Sequence, residues 1–201
     1  LVVIDNFEAF NIIETYINGV MVAKNGESLL PKVKIGVINN FKVKPKRPVD
    51  FRIKADLNEI DVIEVIDGEL VTGWTKTAPK VERGYTISDP ERDLLKITVV
   101  NRYRKAPPAV GFIKNFGLTK GAIASSVAHD SHNIVAVGVS DEDLARAVNL
   151  IIKHKGGLGV VGDGWEEILP LPVAGLMSID DGYKVAKDYQ RIAVRAKELG
   201  S

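Results

Sequence analysis

Residues 134–161, IVAVGVSDEDLARAVNLIIKHKGGLGVV, predict a strand, a helix and a second strand in direct succession. The first six residues form an unbroken apolar run of strand length. Ser140, with Asp143 three residues later, forms a capping-box pattern at a helix start. The apolar residues that follow recur at the spacing of one helix face: Leu144, Ala147, Val148 and Ile151. Basic residues fill the last turn, where cations compensate the helix dipole: Lys153, His154 and Lys155. Gly156 and Gly157 then end the helix.

Further strands are predicted on both sides of this stretch, together with one more helix near the C-terminus. The strands are Leu1–Asp5, Ile12–Ile17, Val20–Ala23, Val49–Ile53, Asp61–Ile66, Glu69–Lys76, Leu95–Arg102, Ala109–Ile113, Ala122–Ser126, Leu158–Val161 and Glu166–Leu169. Asn18-Gly19 and Asp67-Gly68 predict hairpin turns. The second helix runs from about Asp181 to Leu199. Long runs of strands with two late helices predict an α+β fold of largely antiparallel sheets, rather than a regular βαβ alternation.

A domain boundary is predicted where two prolines and a basic run interrupt the periodicity, at Phe41–Pro48. Residues 1–45 and 46–201 are therefore treated as separate domains. Charge is also unevenly distributed: Lys32–Lys54 has eight basic residues and one acidic residue, whereas Asp56–Asp93 has ten acidic and four basic residues. We interpret these segments as complementary solvated faces. Nucleic-acid binding is the weaker alternative, because no array of aromatic residues accompanies the basic run.

Composition excludes several classes of site. The chain has 201 residues, 27 basic and 26 acidic side chains, three histidines and no cysteine. Disulfides, zinc ribbons, iron–sulfur clusters and thiol nucleophiles are thereby excluded. A net charge of +1 gives no general attraction to nucleic acid or membranes. No apolar run approaches the roughly 20 residues of a membrane span, so a soluble, cytoplasmic protein is expected. Leu1 in place of an initiator Met suggests a cut inside a longer polypeptide.

The densest cluster of polar residues lies at 125–133, directly before the strand that starts at Ile134. Its candidate catalytic residues are Ser125, Ser126, His129, Asp130, His132 and Asn133. Three interpretations stay open at this point. The pair of imidazoles and the carboxylate could bind a metal, with His129, Asp130 and His132 as ligands. Alternatively, Asp130 could orient a histidine for acid–base chemistry. In the third interpretation, the polar groups satisfy the backbone of their own turn.

The stretch GAIASSVAHDSHNI, residues 121–134, closely resembles the C-terminal domain of the bacterial and archaeal adenine deaminases of the amidohydrolase superfamily. Flanking segments resemble the same domain: Val99–Tyr103, Gly111–Lys114, Leu169–Pro172 and Ala174–Ser178. Leu1 to about Gly26 resembles the strands that follow the barrel in this superfamily. The resemblance thus implies that 1–45 is the tail of a β-sandwich and that 46–201 is the C-terminal α+β domain.

The resemblance implies metal-dependent hydrolysis of adenine to hypoxanthine and ammonia, as in purine salvage. In that superfamily the metal, Mn or Fe, is held on a (β/α)₈ barrel by ligands that include a His-x-His pair. No such pair occurs in this sequence. The expected ligands therefore lie outside this chain, and we expect the isolated chain to be inactive. The expected partners are adenine, the missing N-terminal barrel and further copies of the enzyme, with neither nucleic acid nor membrane. The alternative is a non-catalytic oligomerisation or ligand-binding module with a purely structural loop.

Overall fold

The structure, a computed structural model, describes residues 1–33 and 36–200. They form two compact units, Leu1–Gly36 and Val37–Ser201. The sequence predicts a domain boundary nine residues later, after residue 45. The assignment of the two domain types stays a prediction.

The first unit is a four-stranded antiparallel sheet with its strands in chain order. The strands are β1 (Val2–Ile4), β2 (Ile12–Ile17), β3 (Val20–Lys24) and β4 (Glu27–Ser28). Asn18 and Gly19, between β2 and β3, have φ angles of 49° and 79°. A hairpin turn needs this left-handed backbone at both central positions, which asparagine and glycine adopt most easily. The hairpin predicted at Asn18-Gly19 is confirmed.

The second unit contains an eight-stranded sheet, a three-stranded sheet and two helices. Its strands are β5 (Ile53–Lys54), β6 (Ile60–Glu64), β7 (Gly73–Thr77), β8 (Lys80–Glu82), β9 (Tyr85–Ile87), β10 (Leu94–Val100), β11 (Ala109–Lys114), β12 (Ala122–Ser125), β13 (Ile134–Gly138), β14 (Gly157–Gly162) and β15 (Trp165–Pro170). The helices are α1 (Asp141–His154) and α2 (Gly182–Glu198). Neither of these helices is long and apolar enough to cross a membrane, over the part of the chain that the structure describes.

The large sheet has the strand order β15-β14-β12-β13-β10-β11-β6-β7. Every neighbouring pair is antiparallel except β6 and β11, which run parallel. The small sheet has the order β5-β9-β8. Largely antiparallel sheets with two helices confirm the predicted α+β class.

The two helices lie on opposite faces of the large sheet. α1 places Leu144, Val148 and Ile151 against the alanine-rich strands β12 and β13. Small side chains on these strands allow the helix to approach closely. α2 packs on β14 and β15, where Ile192 and Leu199 share a core cluster with Val160 and Leu169. The core is thus divided into two layers by the sheet.

The strand predicted at Val49–Ile53 is wrong over most of its length, because Pro48–Phe51 forms a short 3₁₀ helix. Pro48 occupies the first helical position, where its fixed φ is favourable. The Asp50 carboxylate accepts a hydrogen bond from the Arg47 backbone N–H at 2.8 Å. Phe51 is fully buried in the cluster beneath α1. These local contacts outweigh the strand preference of the β-branched residues.

Sequence reasoning also missed the hairpin of β8 and β9, which has few apolar residues to signal it. Arg83 and Gly84 form its turn with φ angles of 50° and 81°. In addition, β7 begins at Gly73 rather than at Glu69. Most residues of β8 and the segment before β7 are exposed, so packing imposes no clear alternation on them.

His154 in the last turn of α1 differs from the charged dipole cap that its position predicts. Burial of the imidazole is the main cause that lowers its pKa from the ordinary 6.5, and the nearby Lys153 charge lowers it further. Glu166 opposes both effects. The folded chain therefore favours the uncharged ring.

We expect His154→Gln to reduce the loss of stability on acidification. Just below pH 6.5 the unfolded chain binds a proton at His154 more readily than the folded chain does, because the pKa of His154 is lowered in the folded chain. This contribution to stability is therefore present above pH 6.5 and is lost as the pH falls through the window down to the folded pKa. Urea unfolding at pH 7.5 and pH 5.0 measures it in both proteins. An identical pH dependence in wild type and variant would contradict the prediction.

Candidate functional site

The polar cluster forms the loop that connects β12 to β13, at one end of the large sheet. Asp130 and His132 have φ angles of 68° and 48°. Left-handed backbone at these positions turns the chain tightly, and short backbone bonds close the turn: His132 N–H donates to the Ala128 carbonyl at 2.7 Å. The six candidate residues consequently point in different directions.

Ser126 is fully buried and holds three segments together. Its Oγ donates to the Gly175 carbonyl at 2.5 Å and accepts from the Gly157 backbone N–H at 2.8 Å. Its own backbone N–H donates to the Gly157 carbonyl at 3.0 Å. The hydroxyl is thus engaged within the core, and Ser126 fixes where the loop leaves the sheet.

Ser125 and Asn133 also bond to the backbone. The Ser125 hydroxyl oxygen accepts from Val127 N–H at 2.9 Å. The Asn133 side-chain carbonyl accepts from Arg102 N–H at 3.4 Å. The Ser125 contact is a hydrogen bond within the loop, of the kind that the third interpretation describes. The Asn133 contact instead joins the loop to the segment that follows β10.

His129 and Asp130 form the outward-facing part of the loop. His129 Nδ1 lies 3.0 Å from Asp130 Oδ1, and the two side chains are 96% and 90% exposed. This pairing leaves Nε2 on the other edge of the imidazole. The imidazole–carboxylate pair therefore lies on the exposed side of the loop.

His132 has a different environment from His129. Its Nδ1 is buried and has no hydrogen-bond partner in the described structure. Over residues 1–33 and 36–200, no three side chains of His, Asp or Glu form a group that could hold a metal ion. The residues present do not fit the metal that the resemblance implies, so no chemical step through a metal follows from this loop.

Arg102 is a structural residue of the site that sequence reasoning missed. It lies two residues beyond β10 and is 4% exposed. Its guanidinium donates to the Asn39 side chain, the Tyr103 hydroxyl and the Ala174 carbonyl at 3.3, 2.9 and 2.7 Å. The rings of Phe41 and Tyr103 lie 5.3 and 4.6 Å from it. Among the described residues it forms no ion pair with a carboxylate, so aromatic rings and neutral acceptors accommodate the charge.

Tyr103 extends this arrangement to the loop, because its hydroxyl donates to the Ser131 carbonyl at 3.1 Å. The segment around Asn39, the end of β10, the loop and the turn at Ala174 are thus joined through one guanidinium. No sequence pattern signals such a residue, since its partners come from four separate segments.

A groove of about 490 Å³ lies beside the loop. Apolar side chains of β10, β12 and β13 form its floor, among them Ile97, Ile123 and Val135. His129 and Ser131 contribute its polar border. The fold and loop therefore define an α+β domain with a polar loop beside an apolar groove.

Comparison with known proteins places the domain in a family. The family model of the adenine deaminase C-terminal domain matches residues 69–201. The whole chain is 46% identical to an adenine deaminase of Salinibacter ruber and 45% identical to one of Methanosarcina mazei. A third relative, an adenine deaminase of Parabacteroides distasonis, is 41% identical over 98% of the chain. This chain belongs to the adenine deaminase C-terminal domain family, which confirms the resemblance seen at residues 121–134.

The chain spans only 37%, 38% and 36% of the lengths of these three relatives. The match is to a C-terminal portion of them.

Proposed function

We propose that this chain is the C-terminal part of an enzyme that hydrolyses adenine to hypoxanthine and ammonia. Three relatives that it matches over almost its whole length are called adenine deaminase. A divalent metal, Mn or Fe, would supply water activation in the intact enzyme, with its ligands in the part of the enzyme outside this chain. The enzyme acts in purine salvage in the cytoplasm as a homo-oligomer.

The loop at residues 125–133 contributes proton transfer or substrate orientation at the active-site mouth. In the reaction the water oxygen bonds to C6 of adenine and the bond from C6 to the amino group breaks. One water proton passes to a ring nitrogen and the other leaves with the ammonia. A positioned side chain that accepts and returns protons assists both transfers.

The observation that carries this role is the exposed His129–Asp130 pair. The Asp130 carboxylate lies 3.0 Å from His129 Nδ1, so that nitrogen is engaged with Asp130 and Nε2 is the atom available to substrate or water. Buried Ser126 holds the start of the loop in place, which limits how far the imidazole can move. A constrained loop with an outward imidazole suits a group that meets its substrate from another domain.

Separate His129→Asn and His132→Asn substitutions in the intact enzyme test this role. We expect His129→Asn to lower kcat/KM for adenine by about 100-fold, the smaller end of general acid–base effects, with metal content unchanged. His154→Asn is the matched control for replacing a histidine, because His154 belongs to the last turn of α1 and not to the loop. Steady-state kinetics and elemental analysis measure the two quantities.

Two results would contradict the proposal. Unchanged adenine turnover in both loop variants, with lowered thermal stability, would establish the structural interpretation. Loss of bound metal in either variant would show that the loop contains a metal ligand, which contradicts the proposal that all metal ligands lie outside this chain.

The rival function is a non-catalytic assembly or ligand-binding module. It is favoured by Ser125, Ser126 and Asn133, whose side chains are all occupied in structural hydrogen bonds. Gel filtration of the isolated chain beside the intact enzyme separates the two. An oligomer formed by the isolated chain would support assembly as its function.

We expect the isolated chain, residues 1–201, to produce no hypoxanthine from adenine with either Mn²⁺ or Fe²⁺ added. No group of three metal-binding side chains occurs in the described residues, and the neighbouring domain is missing. Incubation with adenine and chromatography of the products measures this. Hypoxanthine formation above the metal-only control would show that the chain contains its own catalytic centre.

A further inference from the structure

One face of the eight-stranded sheet is apolar across six neighbouring strands. The register aligns Trp74 with Ile63, Ile97 with Val137, and Val99 with Val135. Paired residues of a ladder lie on the same side of a sheet. We call the following residues the apolar sheet face: Ile63, Trp74, Ile97, Val99, Ile123 and Val135.

The apolar sheet face is only partly covered in the isolated chain: Ile97, Ile123 and Val135 are half-buried, and the other three residues are exposed. Trp74 is 65% exposed, and Ile63 and Val99 are each 39% exposed. α2 lies on the same side of the sheet, but the strands that it packs against are β14 and β15, at one edge. An antiparallel sheet with one solvated face normally alternates apolar and polar residues, with the polar ones outward. Exposed apolar patches of a few hundred Å² are often functional surfaces, such as sites where another protein surface binds.

Polar groups border the apolar sheet face at opposite ends. His129 and Ser131 line the groove at the loop end. Asp61 and Lys76 pair across β6 and β7 near the other edge, and both are exposed. An apolar centre with a polar rim is the usual composition of a surface that another protein surface covers.

We propose that the upstream part of the same polypeptide covers the apolar sheet face in the intact enzyme. The chain matches a C-terminal domain and spans 37% of the Salinibacter relative, so the larger part of such an enzyme precedes it. This inference rests on the proposed function only in taking the chain as part of an intact adenine deaminase. It does not depend on a catalytic role for the loop.

The size of the apolar sheet face favours a covalently linked occupant over a second copy. With strands about 4.8 Å apart and about 3.3 Å per residue, six strands with two outward positions each cover roughly 400 Å², which is an upper bound for the apolar sheet face. A stable interface between separate molecules buries about 800 Å² on each partner. A linked domain needs less area, since tethering raises its local concentration to about the millimolar range.

Thiol labelling of Val99→Cys tests the proposal. The isolated chain has no cysteine, so this variant introduces a single thiol in the middle of the apolar sheet face. Val81→Cys is the matched control, because Val81 is 52% exposed on β8 of the small sheet. Maleimide labelling rates are measured in the isolated chain and in the intact enzyme, with the labelled cysteine located by peptide mass mapping.

We expect Val99→Cys to react at least tenfold more slowly in the intact enzyme than in the isolated chain, and Val81→Cys to react at similar rates in both. Equal rates for Val99→Cys in the two proteins would overturn the proposal. Slow labelling of Val99→Cys already in the isolated chain would also overturn the proposal. If dilution removes this protection, the occupant is a second copy of the chain. If the protection persists on dilution, the occupant is residues 1–36. If Val99→Cys is protected in the intact enzyme but His129→Asn has normal adenine turnover, the loop has no catalytic role and the proposed interface still holds.

Discussion

Replacing Arg102 with methionine is expected to lower the free energy of unfolding of the isolated chain by about 3–5 kcal/mol. The guanidinium donates three hydrogen bonds to buried or partly buried acceptors. Charge-assisted hydrogen bonds contribute about 1.5–3 kcal/mol each, and acceptors left without donors add a desolvation cost. Removal of a buried charge offsets part of this loss. Urea denaturation followed by circular dichroism measures the difference.

Gly175→Ala disturbs the same guanidinium. A Cβ at Gly175 would overlap Arg102 Nη1, and the φ of +74° at this position is strained for alanine. We expect the double variant Arg102→Met/Gly175→Ala to lose less stability than the two single losses added, because both act on one contact. A loss below about 1 kcal/mol for Arg102→Met would show that the neutral acceptors find other partners.

Replacing Asp141 with alanine is expected to cost about 3–5 kcal/mol, because it leaves a buried ammonium without its counterion. Lys96 Nζ lies 2.6 Å from Asp141 Oδ1, and the two side chains are 2% and 15% exposed. The second contact of the ammonium is the Phe51 carbonyl at 3.2 Å. Asp141 also occupies the first turn of α1, where a carboxylate is favoured by the helix dipole.

The double variant Lys96→Met/Asp141→Ala supplies the control for this ion pair. Removing both charges leaves no unpaired ammonium, so we expect most of the lost stability to return. Glu82→Ala provides a comparison at an exposed pair, Arg83–Glu82, whose side chains are 90% and 60% exposed. Its effect should stay within about 0.5 kcal/mol. If the double variant is no more stable than Asp141→Ala, the stability lost comes from the helix start rather than from the buried charge.

Local sequence patterns predicted those elements whose signals lie within a few residues of each other. The Ser140 side chain accepts from the Asp143 N–H at 3.0 Å, as the capping pattern predicts, and α1 ends before the glycine pair. The second helix is confirmed over Gly182–Glu198. At Pro48–Phe51 the local pattern predicted a strand, but the segment is a short 3₁₀ helix because this conformation buries Phe51 beneath α1.

The candidate site shows the same division between local and long-range information. Sequence placed Ser126 and His129 in one polar cluster, but the structure buries the first completely and exposes the second almost fully. Ser126 faces inward because its hydroxyl bonds to the backbone of Gly157 and Gly175, which lie in distant segments. Arg102 could not be predicted as the centre of an arrangement whose partners, such as Asn39 and Ala174, are up to 72 residues away.

The sequence by itself determined the α+β class, both helices, the Asn18-Gly19 hairpin and the family. Each of these depends on spacing along the chain or on a contiguous stretch such as residues 121–134. Only the tertiary structure decided the strand order, the parallel pairing of β6 with β11 and the open apolar face across six strands. Strand pairing depends on which arrangement of the strands buries the most apolar surface, and the sequence of one strand does not specify which strand lies beside it. The outward positions of Trp74 and Val99 therefore became apparent only once the register was known.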